Sequence, residues 1–201
     1  MTRYGMAIDV DHCCGCHACA FACKAEHGTP SGVWWSKVLP KEKGKYPTVK
    51  LYFLPVLCMQ CSNAPCVHVC PTNASHVRKD GIVDMDYSAC MGCKYCEAVC
   101  PYGARTFIEE IKPYYPEHGF TPYELHMNKY HLKGTVEKCN FCAERIDKGE
   151  VPACVDACPA TARFFGDLDD PNSELMYQIA RRNGQPLAGE LGTQPKVFYL
   201  Y

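Results

Sequence analysis

"CMGCKYCEAVCP", Cys90 to Pro101, sets four cysteines in the spacing Cys90-x2-Cys93-x2-Cys96-x3-Cys100 and follows the last with proline. A loop of Cys-x2-Cys-x2-Cys can wrap three corners of an iron–sulfur cube while its backbone amides turn towards the sulfurs. The fourth cysteine emerges on a helix, points away and reaches a neighbouring cube, which is the pattern of a chain with two cubane clusters. The same spacing occurs as Cys13-x2-Cys16-x2-Cys19-x3-Cys23 within "DHCCGCHACAFACK", Asp11 to Lys24. Two variants complete the set: Cys58-x2-Cys61-x4-Cys66-x3-Cys70 and Cys139-x2-Cys142-x11-Cys154-x3-Cys158. Four groups of four account for sixteen of the 17 cysteines and leave Cys14 over.

The repetition extends beyond the cysteines. "IDVDHC" before the first group echoes "VDMDYSAC" before the third, and three groups end in a Cys-Pro-x-x-Ala unit at Cys70, Cys100 and Cys158. Duplication of one small supersecondary unit produces such a pattern. The first group has diverged, with Lys24 where the others carry proline. Cys13 aligns with Cys90, three residues before the next cysteine, whereas Cys14 leaves one residue before Cys16 and too little chain to reach a second iron. Cys14 is therefore read as a small, buried non-ligand beside the cluster.

The remaining composition narrows the class. The chain has 201 residues, 47% hydrophobic and 21% charged, with a formal net charge of -1 and a pI of about 6.7. Binders of nucleic acid or anionic membranes carry a basic excess that is missing here. The lysines of Lys41 to Lys45 read as a solvated loop. No apolar run approaches the ~18 residues of a membrane span, and Val49 to Met59 is short and broken by Pro55. The opening residues lack an apolar signal-peptide core, and Arg181-Arg182 lies near the wrong end for a twin-arginine signal, so the expectation is a soluble chain.

Coarse structure follows from local signals. "MAIDV" and "IVDMDY" read as short strands, the second after the Asp80-Gly81 turn, and "VKLYFLP" as a weakly alternating third. Each cysteine run is expected to be a loop leading to a short helix, such as Ala18 to His27. Asp170-Pro171 opens a helix over Asn172 to Asn183, with Gly184 beyond its end. "KVFYLY" is a final strand or a docking tail. Two cysteine-free spacers separate the groups, Lys24 to Leu57 and Pro101 to Lys138.

Other uses of cysteine fit less well. A zinc ribbon needs two Cys-x2-Cys pairs, not three cysteines at successive three-residue steps. Disulfides rarely link cysteines this near in sequence. A Rieske centre takes two histidine ligands, and His12 and His17 lie in a group that already has its four thiols. No phosphate loop, GxGxxG fingerprint or catalytic triad is present, so the chain alone is not expected to be an enzyme.

Taken together, the four groups resemble the iron–sulfur electron-transfer subunits of the dimethyl sulfoxide reductase (molybdopterin) superfamily over nearly the whole chain. "EKCNFCAERIDKGEVPACVDACPATARFFGDLDDP", from Glu137 to Pro171, is similar to the fourth-motif region of subunits serving polysulfide, thiosulfate, tetrathionate and arsenate reductases, and catechol dehydroxylase subunits are similar too. "GVWWSKV" and "LPVLCMQCSNAPCVHVCPT" lean to the arsenate-reductase or dehydroxylase side. The resemblance implies four [4Fe-4S] clusters, the first on Cys13, Cys16, Cys19 and Cys158. The second would sit on Cys139, Cys142, Cys154 and Cys23, the third on Cys58, Cys61, Cys66 and Cys100, and the fourth on Cys90, Cys93, Cys96 and Cys70. It implies an α+β fold of two ferredoxin-like halves, the outer (1–57 and 134–170) enclosing the inner (58–133) with its aromatic spacer, then a C-terminal helix and docking tail (171–201).

The implied role is non-catalytic. The chain would relay single electrons between a quinol-oxidising membrane subunit or soluble donor and a large catalytic subunit holding molybdopterin guanine dinucleotide. The Cys13/Cys158 end would face the catalytic subunit. The implied location is the extracytoplasmic face of the cell membrane, after export folded with that partner, with the cytoplasm as the alternative. The alternative is a free polyferredoxin carrier, against which stand the C-terminal extension and the aromatic spacer (Phe107, Tyr114, Tyr115, Phe120, Tyr123, Tyr130).

Overall fold

The computed structural model describes residues 2–201 and mixes short helices with small sheets. β1 (Tyr4–Asp9) leads through the first cysteine loop into α1 (Ala18–His27), and β2 (Lys37–Lys43) and β3 (Lys50–Val56) form an antiparallel hairpin. After α2 (Pro65–His68) comes a second hairpin, β4 (Ser75–Val77) and β5 (Val83–Met85), and then α3 (Tyr95–Ala98). β6 (Thr106–Phe107) and β7 (Val136–Glu137) pair across the spacer that holds α4 (Pro122–Met127). The chain closes with α5 (Ala143–Ile146), α6 (Ala153–Asp156), β8 (Arg163–Asp167), α7 (Glu174–Arg181), β9 (Gln185–Pro186) and β10 (Val197–Leu200).

β1 is the hub. It lies in a four-stranded sheet of order β8-β1-β10-β9, antiparallel to β8 and parallel to β10. Side chains alternate across a strand, so Met6 and Ile8 enter the core that holds the buried cysteines, while Ala7 meets Leu175 and Leu200 on the other face. Leu175 is carried by α7, which covers that second face. A strand covered on both sides reads as a continuous apolar run, which is why "MAIDV" was visible in the sequence.

Several elements depart from expectation. The last helix begins at Glu174, not Asn172, because the Ser173 hydroxyl accepts the Met176 N–H at 3.3 Å and leaves Pro171 outside the cap. Part of Lys41 to Lys45 is strand β2, whose side chains are exposed at six of seven positions and so lack any apolar alternation. The spacer is not featureless: Thr121 and Glu124 form a reciprocal capping box that starts α4. Tyr114 and Tyr123 pin it to the end of α1, their hydroxyls donating to the carbonyls of Thr29 (2.8 Å) and Ala25 (2.5 Å). Of the two readings of "KVFYLY", strand and docking tail, the chain takes the strand: β10 lies between β1 and β9, with Val197, Tyr199 and Leu200 buried.

Candidate metal centres

The local backbone repeats at each cysteine group. The residue before the second cysteine has a left-handed conformation in all four: Gly15 (φ 70°), Gln60 (49°), Gly92 (71°) and Phe141 (59°). A left-handed residue in such a turn swings successive N–H groups into one concavity, the nest geometry that binds anions and iron–sulfur sulfurs. Glycine is required at position 92, where a Cβ would lie 2.1 Å from the Gly134 carbonyl oxygen, a backbone atom that cannot yield. The Cys-Pro-x-x-Ala units repeat too, with a left-handed residue third after the cysteine: Asn73 (φ 55°), Gly103 (56°) and Thr161 (49°). In two of these units the tightened turn aims a backbone N–H at sulfur, Ser75 to Cys70 at 3.4 Å and Ala162 to Cys158 at 3.3 Å.

Tertiary packing brings distant groups together. A cavity is lined by Cys58, Cys61, Cys66 and Cys100, together with Arg105. A second is lined by Cys13, Cys16, Cys19 and Cys158, with Cys14 on its wall and Arg163 beside it. Cys139, Cys142, Cys154 and Cys23 are all buried, and Cys23 lies close enough to Cys154 and Cys142 to feel their charge. Here α1, bearing Cys19 and Cys23, packs on α6, which bears Cys154; α2 with Cys66 packs on α3 with Cys96 in the same manner. Cys96 is buried and Cys90, Cys93 and Cys70 half-buried; Cys96 shares its electrostatic surroundings with Cys66 and Cys90.

Protonation follows burial. Desolvation, helped by the neighbouring Cys58, pushes the Cys61 thiol up to about 12, and desolvation takes Cys142 to about 12 as well. Cys23 and Cys139 are pushed up further by burial and by the charge of neighbouring cysteines. Thiols of this kind bind metal only by losing their protons, so loading releases acid. Cys70 is the exception. Burial pushes it up, but N–H groups of Ser75, Thr72 and Ala74 and the Thr72 hydroxyl outweigh that and bring the thiol below its ordinary value.

The donor set fits iron–sulfur clusters. All seventeen cysteines are free thiols. Among the described residues, no three cysteine, histidine or carboxylate side chains converge closely enough for a single ion, whereas a cubane asks for thiols spaced around a cavity. Buried cations are also present beside the sulfurs: Arg105, Arg163, Lys138 and Lys196 are each almost fully buried. The Lys138 ammonium donates to the carbonyls of Cys139 (2.9 Å) and Val83. His27 Nε2 lies 3.2 Å from Cys142 Sγ. Sequence reasoning missed these groups, although an arginine directly after Cys-Pro-x-x-Ala in two of its three copies was a signal available to it. It also expected Cys14 to be buried; the side chain is exposed, because the left-handed turn at Gly15 directs it to the rim of the cavity.

Comparison with known proteins agrees with this chemistry. A family model described as a 4Fe-4S dicluster domain matches residues 49–115 and 110–168. The chain is 43% identical, over its whole length and 79% of the relative's, to a putative dimethyl sulfoxide reductase iron-sulfur subunit of Halobacterium salinarum. It is 39% identical to the arsenate respiratory reductase iron-sulfur subunit of a Shewanella species, covering 98% of this chain and 96% of that one. A polysulfide reductase chain of Wolinella succinogenes is 38% identical over 98% of this protein and 93% of its own length.

Proposed function

The protein belongs to the family of 4Fe-4S dicluster iron–sulfur subunits of reductase complexes, and from that premise we propose that it holds four [4Fe-4S] clusters and conducts electrons to a molybdopterin catalytic subunit. It is an electron-transfer subunit, not the catalytic one. A cubane bound by four thiolates supplies reversible one-electron transfer and has no open position for substrate. The chain's own part is to hold each cluster, exclude water from it and fix its neighbours.

The observation that carries the reading is the pairing of remote groups around common cavities: Cys158 joins the first group's wall and Cys100 the second's. This favours the assignment of Cys13, Cys16, Cys19 and Cys158 to one cluster and of Cys58, Cys61, Cys66 and Cys100 to another. The sets Cys139, Cys142, Cys154, Cys23 and Cys90, Cys93, Cys96, Cys70 complete the proposal. Electrostatic proximity supports a linear order, since Cys23 feels Cys19, Cys139 feels Cys58 and Cys96 feels Cys66. Two ferredoxin-like halves, 1–57 with 134–170 and 58–133, accord with the β1–β8 pairing and the separate β4–β5 hairpin. In this arrangement residues 171–201 complete the outer half's sheet.

The Cys13/Cys158 end faces the catalytic subunit in this proposal, and the Cys90–Cys96 end faces the donor. No helix among the described residues is long and apolar enough to cross a membrane, and the reading gives quinol oxidation to a separate membrane subunit, or electron supply to a soluble donor. The complex works on the extracytoplasmic face, reached by export folded with its partner. Relatives that carry the names of reductase subunits favour this over a free polyferredoxin.

The test is reconstitution. The purified chain, reduced with dithionite, is expected to turn over none of arsenate, polysulfide or dimethyl sulfoxide. Adding the oxidised catalytic subunit of its complex should reoxidise the chain at a rate set by complex formation. Turnover of an acceptor by the chain alone, or no electron transfer on mixing, contradicts the reading.

A further inference from the structure

Arg163 and Arg105 occupy equivalent positions, each directly after a Cys-Pro-x-x-Ala unit, and each is only 3% exposed. Neither takes part in any ion pair among the described residues. A guanidinium cannot shed its proton inside a protein, and a buried charge without a counter-charge costs several kcal/mol. Two such cations in one small chain require anions nearby, and the candidates in contact with them are sulfurs.

Their contacts repeat as well. Arg163 donates to Cys19 Sγ (3.2 Å), to the Ser36 hydroxyl (3.4 Å) and towards Met6 Sδ (3.8 Å), and Cys154 lies near it. Arg105 donates to Met85 Sδ (3.0 Å) and to the Ser75 hydroxyl (2.5 Å); it shares a cavity wall with Cys66, and Cys96 also lies near it. Each guanidinium therefore meets one methionine sulfur and one serine hydroxyl, with two cysteines beside it. In the assignment above those two cysteines belong to different clusters: Cys19 to the first and Cys154 to the second, Cys66 to the third and Cys96 to the fourth. Ser75 is itself the residue after the remaining Cys-Pro-x-x-Ala unit, so the first copy of the repeat supplies a partner for the arginine of the second.

We propose that Arg163 and Arg105 are intercluster cations, each shared by the two clusters of one pair, which raise both potentials and weaken the repulsion between electrons placed on neighbouring clusters. The inference rests on the four-cluster assignment. A thiolate-bound cubane is anionic and gains a further negative charge on reduction. At low local dielectric that charge interacts far more strongly than in water, so an electron on one cluster makes the next harder to add. A fixed cation beside a ligand of each cluster offsets the cost for both. Arginine suits the position because its planar fork presents several donors in fixed directions, reaching sulfur and a hydroxyl at once.

The test is a redox titration of the cluster-loaded full chain, followed by electron paramagnetic resonance, on Arg163→Gln, Arg163→Lys, Arg105→Gln and wild type. In Arg163→Gln two midpoints should fall so that, at the wild-type midpoint, the reduced-to-oxidised ratio drops at least tenfold, equivalent to 59 mV for one electron. The other two should stay in place. Arg105→Gln should move the complementary two, and Arg163→Lys should keep most of the wild-type potential. A shift in one cluster only, in all four or in none overturns the proposal, as does an equal fall in the Lys variant. Should Arg163→Gln fail to retain iron, Arg163→Lys decides: full iron with wild-type midpoints supports a charge role, and loss of iron there as well overturns it. About sixteen irons in the wild type with unmoved midpoints in the variants removes this inference alone, whereas about eight removes the four-cluster reading beneath it.

Discussion

Replacement of Cys13 by serine is expected to cost the protein one cluster, while Cys14→Ser leaves the iron content unchanged. The two thiols are adjacent and line the same cavity, so chemistry alone does not separate them. Register does: Cys13 stands three residues before Cys16, as Cys90 stands before Cys93. Cys13 is half-buried and Cys14 exposed. Loss of Cys13 leaves one iron without a thiolate, and that cluster should fall to three irons or be lost. Cys14→Ser touches a surface group and should change stability by no more than about 0.5 kcal/mol. Iron analysis and electron paramagnetic resonance read both outcomes. Because Cys14 could swing inward when Cys13 is gone, the double variant is the control: an intact cluster in Cys13→Ser that disappears in the double variant identifies rescue. Loss of a cluster in Cys14→Ser, with none lost in Cys13→Ser, shows the assignment to be reversed.

Removal of Lys196 to Tyr201 should be still more damaging, because it takes out an internal strand. β10 lies parallel to β1 from Met6↔Val197 to Asp9↔Leu200 and antiparallel to β9. Val197, Tyr199 and Leu200 are each at most 1% exposed, and burying three such side chains contributes roughly 5–9 kcal/mol. That is comparable with the whole stability of a typical domain, about 5–15 kcal/mol. The strand also ties the sheet to the metal centres. Lys196 N–H donates to the Met59 carbonyl (2.9 Å), between Cys58 and Cys61, and the Tyr199 hydroxyl donates to the Pro55 carbonyl (2.8 Å). The truncated chain should be insoluble or colourless, assayed by yield and visible absorbance. A truncated chain that keeps its full iron content and melts cooperatively would mean that β10 is a dispensable tail.

What was legible in the sequence was local. Cysteine spacing and the proline after three of the four terminal cysteines each act within a few residues, so the groups and helix Ala18–His27 could be read directly. Pairing of β1 with β8 and β10 joins segments more than 150 residues apart in number, and no local periodicity announces it. Strand β2 was hidden because it buries only Val38 and is held by its hairpin partner. The burial of Arg105 and Arg163 was hidden for a different reason: charged residues are almost never fully buried unless paired, and the partners here are sulfurs supplied by other loops. Cys14 was misjudged because spacing shows which residues can be ligands but not which way a turn directs the residue left over.

Metal content of the purified chain is the most direct measure of the four-cluster assignment. Anaerobic preparation followed by iron, labile sulfide and zinc determination on the same sample is expected to give about sixteen irons and sixteen sulfides, four of each per cubane, with no stoichiometric zinc. About eight irons, or zinc in stoichiometric amount, contradicts it.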